Sequence, residues 1–237
     1  MPTFQPFGPD HWAVMGFVAV ASLAMIANTS RVRRLQDDRL VRGGLALVLM
    51  GNLLGSLAYL VAHGHWRLPF QLCDLAVVLM AWALVGSNRF VAELAFFWGL
   101  AGSLQAVLTP DLAVGFPSYT WLTFFLNHCG AVLGAVYLAV RGLVQPTIGS
   151  VWRVWLITNL YVVVAILLNW CLGTNFGYLA RKPSHPSLLD SLGPWPFYIV
   201  GMEVIGLVSF FFCLGCSRMI DRVAAAQTAK GTQHAAA

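Results

Sequence analysis

Two residues of this chain have the chemistry of a nucleophile and its base, Cys73 and His128. A thiol attacks an ester efficiently only when its pKa is depressed or an imidazole stands ready to take its proton. Cys73 closes the stretch Leu68-Pro69-Phe70-Gln71-Leu72-Cys73, and Asp74 follows it. Proline is tolerated at the first position of a helix, where its missing N–H would have had no partner, so Pro69 predicts a helix start. Cys73 then falls near the positive end of the helix dipole, which favours a thiolate. His128 lies about nine residues into a later apolar run, some 13 Å along it at about 1.5 Å per residue. A competing reading stands beside this one. Free cysteine is a common small core residue, and a histidine within an apolar span often does no more than hydrogen-bond a neighbouring helix.

Other polar groups share that depth or lie close to it. Gln71, Gln105 and Asn169, with Asn175 in a following loop, offer amide donors for substrate or for an oxyanion. Glu203 is placed to orient the histidine, and Arg181 and Lys182 to attract a lipid phosphate. Asp74 is about 100° around the helix from Cys73, which predicts a capping role. Glu93 near Arg89 reads as structural. Cys213 and Cys216 form a C-x-x-C without the βαβ context of a redox motif, and read as core or a lipidation site. His63 and His65 lack the companions of a zinc site, so neither a metal nor a cofactor is expected.

The elements that must position these groups are membrane helices. Of 237 residues, 59% are hydrophobic and 10% charged, against about a quarter charged in soluble domains. Apolar runs at roughly 11–28, 43–62, 69–87, 90–109, 119–141, 151–172 and 195–217 predict an all-α, polytopic bundle of seven transmembrane helices. Residues 1–222 then form a single membrane domain, and the alanine-rich tail 223–237 is expected to be a disordered cytoplasmic extension. The first run lacks the basic leader and cleavage site of a signal peptide and is kept as a helix. The net charge of +5 comes from short arginine clusters at helix ends, which points to anionic lipid headgroups rather than nucleic acid. Alternating the spans puts eleven cations on one side, including Arg31, Arg33, Arg34, Arg39 and Arg42, against Arg67, Arg181 and Lys182 on the other. The positive-inside rule therefore predicts a multi-pass protein of the cell membrane with its N-terminus outside and C-terminus cytoplasmic. Gly51 and Gly55, and Gly130 and Gly134, have the four-residue spacing of close helix contacts. The long connection Gly173 to Pro194 is either a lid or a connector between distant helix ends.

The chain resembles the YwaF-like bacterial integral membrane proteins and their animal relative, a transmembrane acyltransferase of ether phospholipids. The likeness runs through His65-Trp66-Arg67-Leu68-Pro69-Phe70-Gln71-Leu72-Cys73, Trp98-Gly99-Leu100, Gln105-Ala106, Thr109-Pro110-Asp111 and Phe125-Leu126-Asn127-His128. It continues through Gly173-Thr174-Asn175-Phe176-Gly177-Tyr178-Leu179, Lys182-Pro183 and Leu192-Gly193-Pro194-Trp195-Pro196. The resemblance implies a catalytic Cys/His pair at Cys73 and His128, with a distant likeness to androgen-induced membrane hydrolases that use threonine with histidine. The function expected is transfer of fatty acyl groups from a phospholipid to a lyso-lipid through a thioester. The alternatives are a lipid ester hydrolase, or a small-solute permease or sensor in which the same polar cluster is a binding site.

Overall fold

A computed structural model describes residues 2–183 and 187–235. Its long helices are α1 (Pro9–Ala27), α3 (Arg39–Ala62), α7 (Tyr119–Arg141), α8 (Ile148–Leu172) and α9 (Phe197–Ala235), with the short α2 (Thr29–Arg33) after α1. Between α3 and α7 come α4 (Leu72–Val85) and a continuous rod made of α5 (Arg89–Phe97), a π-helical turn at Trp98–Gly102 and α6 (Ser103–Leu108). Among the described residues the only extended pairing is an isolated bridge between Thr3 and Val114.

Among the described residues six helical segments are long and apolar enough to cross a membrane, counting Arg89–Leu108 as one, so this is a multi-pass membrane protein. The seventh apolar run is shorter than expected. Its helix α4 has 14 residues, about 21 Å at 1.5 Å per residue, against a hydrocarbon core of about 30 Å. Pro69 does not open it. The N-cap is Gln71, and the Asp74 carboxylate accepts from the Gln71 backbone N–H at 3.2 Å. Capping by Asp74 and packing of the preceding residues override the preference of proline for the first turn. Phe70 is pinned instead by Tyr161, whose hydroxyl donates to the Phe70 carbonyl at 3.1 Å and whose ring stacks on it.

The helices alternate between two ends. At one, Arg33 pairs with Asp221 at 2.5 Å, Arg42 donates to the Leu84 carbonyl, Arg141 donates to the Arg33 carbonyl, and Arg89 donates to the Gln145 carbonyl. Glu93 joins this end as a structural residue, buried and paired with Arg89 and Arg153 while accepting from Ser150. At the other end the Phe4 N–H donates to the Ala113 carbonyl, and the Tyr178 hydroxyl to Asp111. The main core fills the arginine-rich half, with Met80, Leu84, Phe96, Phe97, Leu138 and Val151 at its centre.

Close approach is confined to one of the two glycine pairs. A Cβ on Gly130 would lie 2.6 Å from Leu49 Cδ2 and one on Gly134 2.8 Å from Met80 Sδ, whereas Gly51 has nothing within 4 Å and Gly55 only the Tyr119 hydroxyl at 3.7 Å. The tail also departs from expectation. Helix α9 runs 39 residues to Ala235, through the stretch read from sequence as disordered, and residues 236–237 lie outside the described ones. Alanine is the strongest helix former, and extending an existing helix avoids the cost of nucleation. Gln227 also ties the extension down, accepting from the Ser30 N–H and donating to the Ala27 carbonyl, both at 2.9 Å.

Candidate functional site

Above the main core lies a cavity of about 630 Å³ lined by α3, α4, the π turn, α6, α7, α8 and α9. Both Cys73 and His128 line it. Cys73 is the second residue of α4, closer to the helix start than the sequence implied, so it stands among N–H groups that have no carbonyl one turn back. The segment 67–71 that leads into α4 is fixed from three directions. Phe70 packs on Tyr161 and Phe176. The Gln71 side chain accepts from the Gly177 N–H at 2.9 Å and donates to the Asn175 carbonyl at 3.3 Å. Arg67 makes a two-pronged pair with Asp74, at 2.5 Å and 3.1 Å. Burial disfavours the Arg67 cation, but the Asp74 carboxylate outweighs this and raises its pKa above the ordinary arginine value. Asp74 thus caps α4 and holds Arg67.

His128 is 7% exposed, and its ring lies against Phe124 with centroids 4.2 Å apart. Its Nδ1 is 2.8 Å from the Phe124 carbonyl oxygen. A carbonyl only accepts, so in the neutral ring the proton is on Nδ1 and Nε2 carries the lone pair. Among the described residues Nε2 has no hydrogen-bond partner. The buried His11 shows the contrast, since its Nδ1 accepts from the Phe7 N–H at 2.9 Å and its Nε2 donates to the Val107 carbonyl at 2.7 Å. His11 is a satisfied structural histidine, whereas His128 presents an unshared basic nitrogen.

The remaining site residues divide. Gln105 and Glu203 line the cavity with Gln71, but their polar atoms have partners. Gln105 donates to the Thr109 hydroxyl at 2.9 Å, and Glu203 accepts from Asn159 at 3.1 Å. Glu203 therefore does not orient His128, which is held by its own helix through Phe124. Asn169 and Asn175 are absent from the cavity wall. Asn169 braces the turn after α8 by accepting from the Phe176 N–H at 2.6 Å and donating to its carbonyl at 3.0 Å. Asn175 closes the following turn by accepting from the Ala180 and Arg181 N–H groups. Their amides are spent on the backbone because a loop leaving a helix must find partners for its polar groups. Arg181 is exposed and away from the wall, while Lys182 sits 3.8 Å from Asp190 and over the Tyr198 ring. The cation on the wall is Arg67, which sequence reasoning passed over although an arginine beside an apolar span signals a partnered or functional charge.

The connection 173–196 contributes Gly177, Tyr178, Leu179, Leu189 and Leu192 to the cavity wall, and its residues 184–186 lie outside the described ones. Tyr178 is its keystone. The Tyr178 hydroxyl donates to Asp111 at 2.9 Å, its carbonyl accepts from the Tyr198 hydroxyl, and Trp195 Nε1 donates to the adjacent Leu179 carbonyl at 3.1 Å. Burial first, and then the Asp111 carboxylate, raise the Tyr178 pKa. Among the described residues no group of three His, Cys, Asp or Glu could hold a metal ion. His63 Nδ1 bonds the Tyr59 carbonyl at 2.8 Å.

The sequence model of the TMEM164 family matches residues 6–214, and the chain belongs to that family. No curated protein matches the chain, and neither does any solved structure.

Proposed function

We propose that this member of the TMEM164 family is a lipid transacylase that carries a fatty acyl group as a thioester on Cys73. The observation behind the reading is that one cavity is lined by both a thiol at a helix N-terminus and a histidine whose Nε2 is free to accept a proton. His128 Nε2 takes the thiol proton as sulfur attacks the ester carbon, then passes it to the departing lyso-lipid oxygen. In the second half it takes the proton of the acceptor hydroxyl, which attacks the thioester and regenerates the thiol, giving ping-pong behaviour. A cavity of about 630 Å³ falls in the range of small-molecule sites.

The donor follows from topology. With the arginine-rich end in the cytoplasm and the N-terminus outside, the cavity sits in the outer half of the membrane. Acyl-CoA is cytosolic and highly charged, and a core about 30 Å thick separates it from such a site. An outer-leaflet phospholipid brings its ester to the level of Cys73, and Arg67, Arg181 and Lys182 are the cations on that side of the protein. Transfer rather than hydrolysis requires that bound lipid, together with the loop residues on the cavity wall, keep water from the thioester.

Reconstituted protein given a labelled diacyl phospholipid and a lyso-lipid is expected to move label between them without CoA. Strict dependence on acyl-CoA would overturn the choice of donor, and release of free fatty acid would make the protein a hydrolase. Ester chemistry unaffected by Cys73→Ala would rule out the thioester on Cys73, and absence of ester chemistry from wild type would leave the cavity as a solute-binding site.

A further inference from the structure

The oxyanion donor expected from the sequence is missing from its expected places, because the amides of Asn169 and Asn175 are committed to the backbone and that of Gln105 to Thr109. One buried side-chain donor at the depth of Cys73 and His128 remains uncommitted. Ser103 is 1% exposed, its hydroxyl has no hydrogen-bond partner, and it lines the same cavity as Cys73 and His128. A buried hydroxyl without a partner is uncommon, because desolvating it costs free energy that nothing repays.

Depth places Ser103 with the pair. Ser103, Cys73 and His128 stand 14, 12 and 13 residues from Arg89, Val85 and Arg141, the arginine-end limits of their helices. At about 1.5 Å per residue all three lie close to 20 Å from that end. The other buried donors without partners do not share this layer. Trp155 is seven residues from the start of α8 at Ile148, roughly 9 Å deeper by the same rise. Trp121 is off the cavity wall and Ser187 belongs to the 173–196 connection.

Local backbone explains why a serine faces inward here. The rod changes from α to π at Trp98–Gly102 and returns to α at Ser103. A wider turn holds an extra residue, which rotates everything after it by about a quarter turn relative to a continuous α-helix. The π turn packs directly against both α4 and α7, the helices that carry Cys73 and His128. A Cβ on Gly99 would meet the Ala131 carbonyl oxygen at 3.0 Å, so this turn is seated against α7 as closely as backbone allows.

We infer that Ser103 is a further catalytic residue, whose hydroxyl donates a hydrogen bond to the oxyanion formed when Cys73 attacks an acyl ester. The inference rests on the thioester reading given above. Sulfur forms a bond to the ester carbon while the carbonyl π electrons move onto oxygen, and Ser103 Oγ–H donates to that oxygen. Collapse re-forms the carbonyl and breaks the bond to the lyso-lipid oxygen, which leaves with the proton held by His128. Ser103 keeps its own proton throughout. The substrate thus supplies the acceptor that the protein lacks, and the hydroxyl is unpaired only while the cavity is empty.

The test compares two reactions of the same thiol in full-length protein. Acylation by a labelled diacyl phospholipid passes through an oxyanion, whereas alkylation by iodoacetamide does not. Ser103→Ala is expected to slow acylation of Cys73 by about 10²-fold and leave alkylation within about twofold of wild type. Its melting temperature should equal or exceed that of wild type, because an unpaired hydroxyl has been removed. Ser103→Thr, which keeps the hydroxyl, is expected to recover part of the rate. Acylation of Ser103→Ala at the wild-type rate, or parallel loss of acylation and alkylation, would overturn the assignment. A wild-type protein that is alkylated on Cys73 but never acylated there would sink the thioester reading itself, and this assignment with it.

Discussion

Replacing His128 by asparagine is expected to slow acylation of Cys73 by about 10³-fold near neutral pH, within the usual range for loss of a general base. Asparagine keeps an N–H able to reach the Phe124 carbonyl, so the contact now made at 2.8 Å has a successor and the helix is left intact. What disappears is the unshared nitrogen at Nε2. The deficit should narrow as pH rises, because a thiol that ionises without help needs no base. Rates of thioester formation measured from neutral to alkaline pH check this, and equal rates for wild type and variant at pH 7 would show that the imidazole takes no proton. The matching substitution of His11 carries no such expectation, since both its ring nitrogens are already bonded within the protein.

The largest expected loss of stability lies at the opposite end of the molecule. The Asp38 carboxylate is 5% exposed and accepts from the Tyr137 hydroxyl at 2.6 Å, Arg141 Nε at 2.7 Å and Arg42 Nε at 2.9 Å. Through Arg141 it joins the connection before α3 to the end of α7. Asp38→Ala leaves two guanidinium groups and a phenol facing one another, and breaking a buried pair of this kind costs about 3 kcal/mol. Burial works against the Asp38 charge, but the hydrogen bonds from Tyr137 and Arg141 and the charges of Arg42 and Arg141 hold its carboxyl down at about 2, from 3.8. A folded-state pKa below the unfolded one means that the contribution is present in full above about pH 4 and is lost as pH falls through about 2. Thermal melts in detergent between pH 7 and pH 2 should therefore show wild type losing this increment below about pH 4, while Asp38→Ala starts lower and lacks that part of the decline. An Asp38→Ala protein that melts with wild type at pH 7 would contradict the role given to this carboxylate.

Much of the architecture was legible because apolar runs report a membrane solvent directly. The run expected at 119–141 is the helix Tyr119–Arg141 itself, and the remaining runs locate their helices. Legibility failed where a tertiary partner decided the outcome. Pro69 carries the signal of a helix start, but Tyr161 is 92 positions away and nothing local announces that its hydroxyl will hold Phe70 outside the helix. The spacing of Gly51 and Gly55 is the same as that of Gly130 and Gly134, yet only the second pair meets neighbouring side chains more closely than ordinary contact, because small-residue spacing marks a possible contact without naming the facing helix. The extension of α9 was hidden by its composition, since alanine-rich sequence is compatible with both a loose tail and a good helix.

The site was half legible for a similar reason. Residue type, depth and the resemblance together point to Cys73 and His128 among five cysteines and several histidines, and the structure brings both onto one cavity wall. The polar residues around them are harder to sort, since Asn169, Asn175 and Ser103 are all ordinary polar residues in the sequence. Only the hydrogen-bond pattern separates amides already committed to the backbone from a hydroxyl with nothing to bond.

The most direct test of the central claim is to look for the acyl-enzyme. Protein incubated with a diacyl phospholipid of defined chain length, without acceptor and without CoA, is digested and analysed by mass spectrometry. The expected result is the mass of that one acyl chain on the peptide containing Cys73, removed by neutral hydroxylamine and lost when a lyso-lipid acceptor is added before quenching. Transfer of label to the acceptor by a Cys73→Ala protein, with no adduct on any peptide of the wild type, would contradict it.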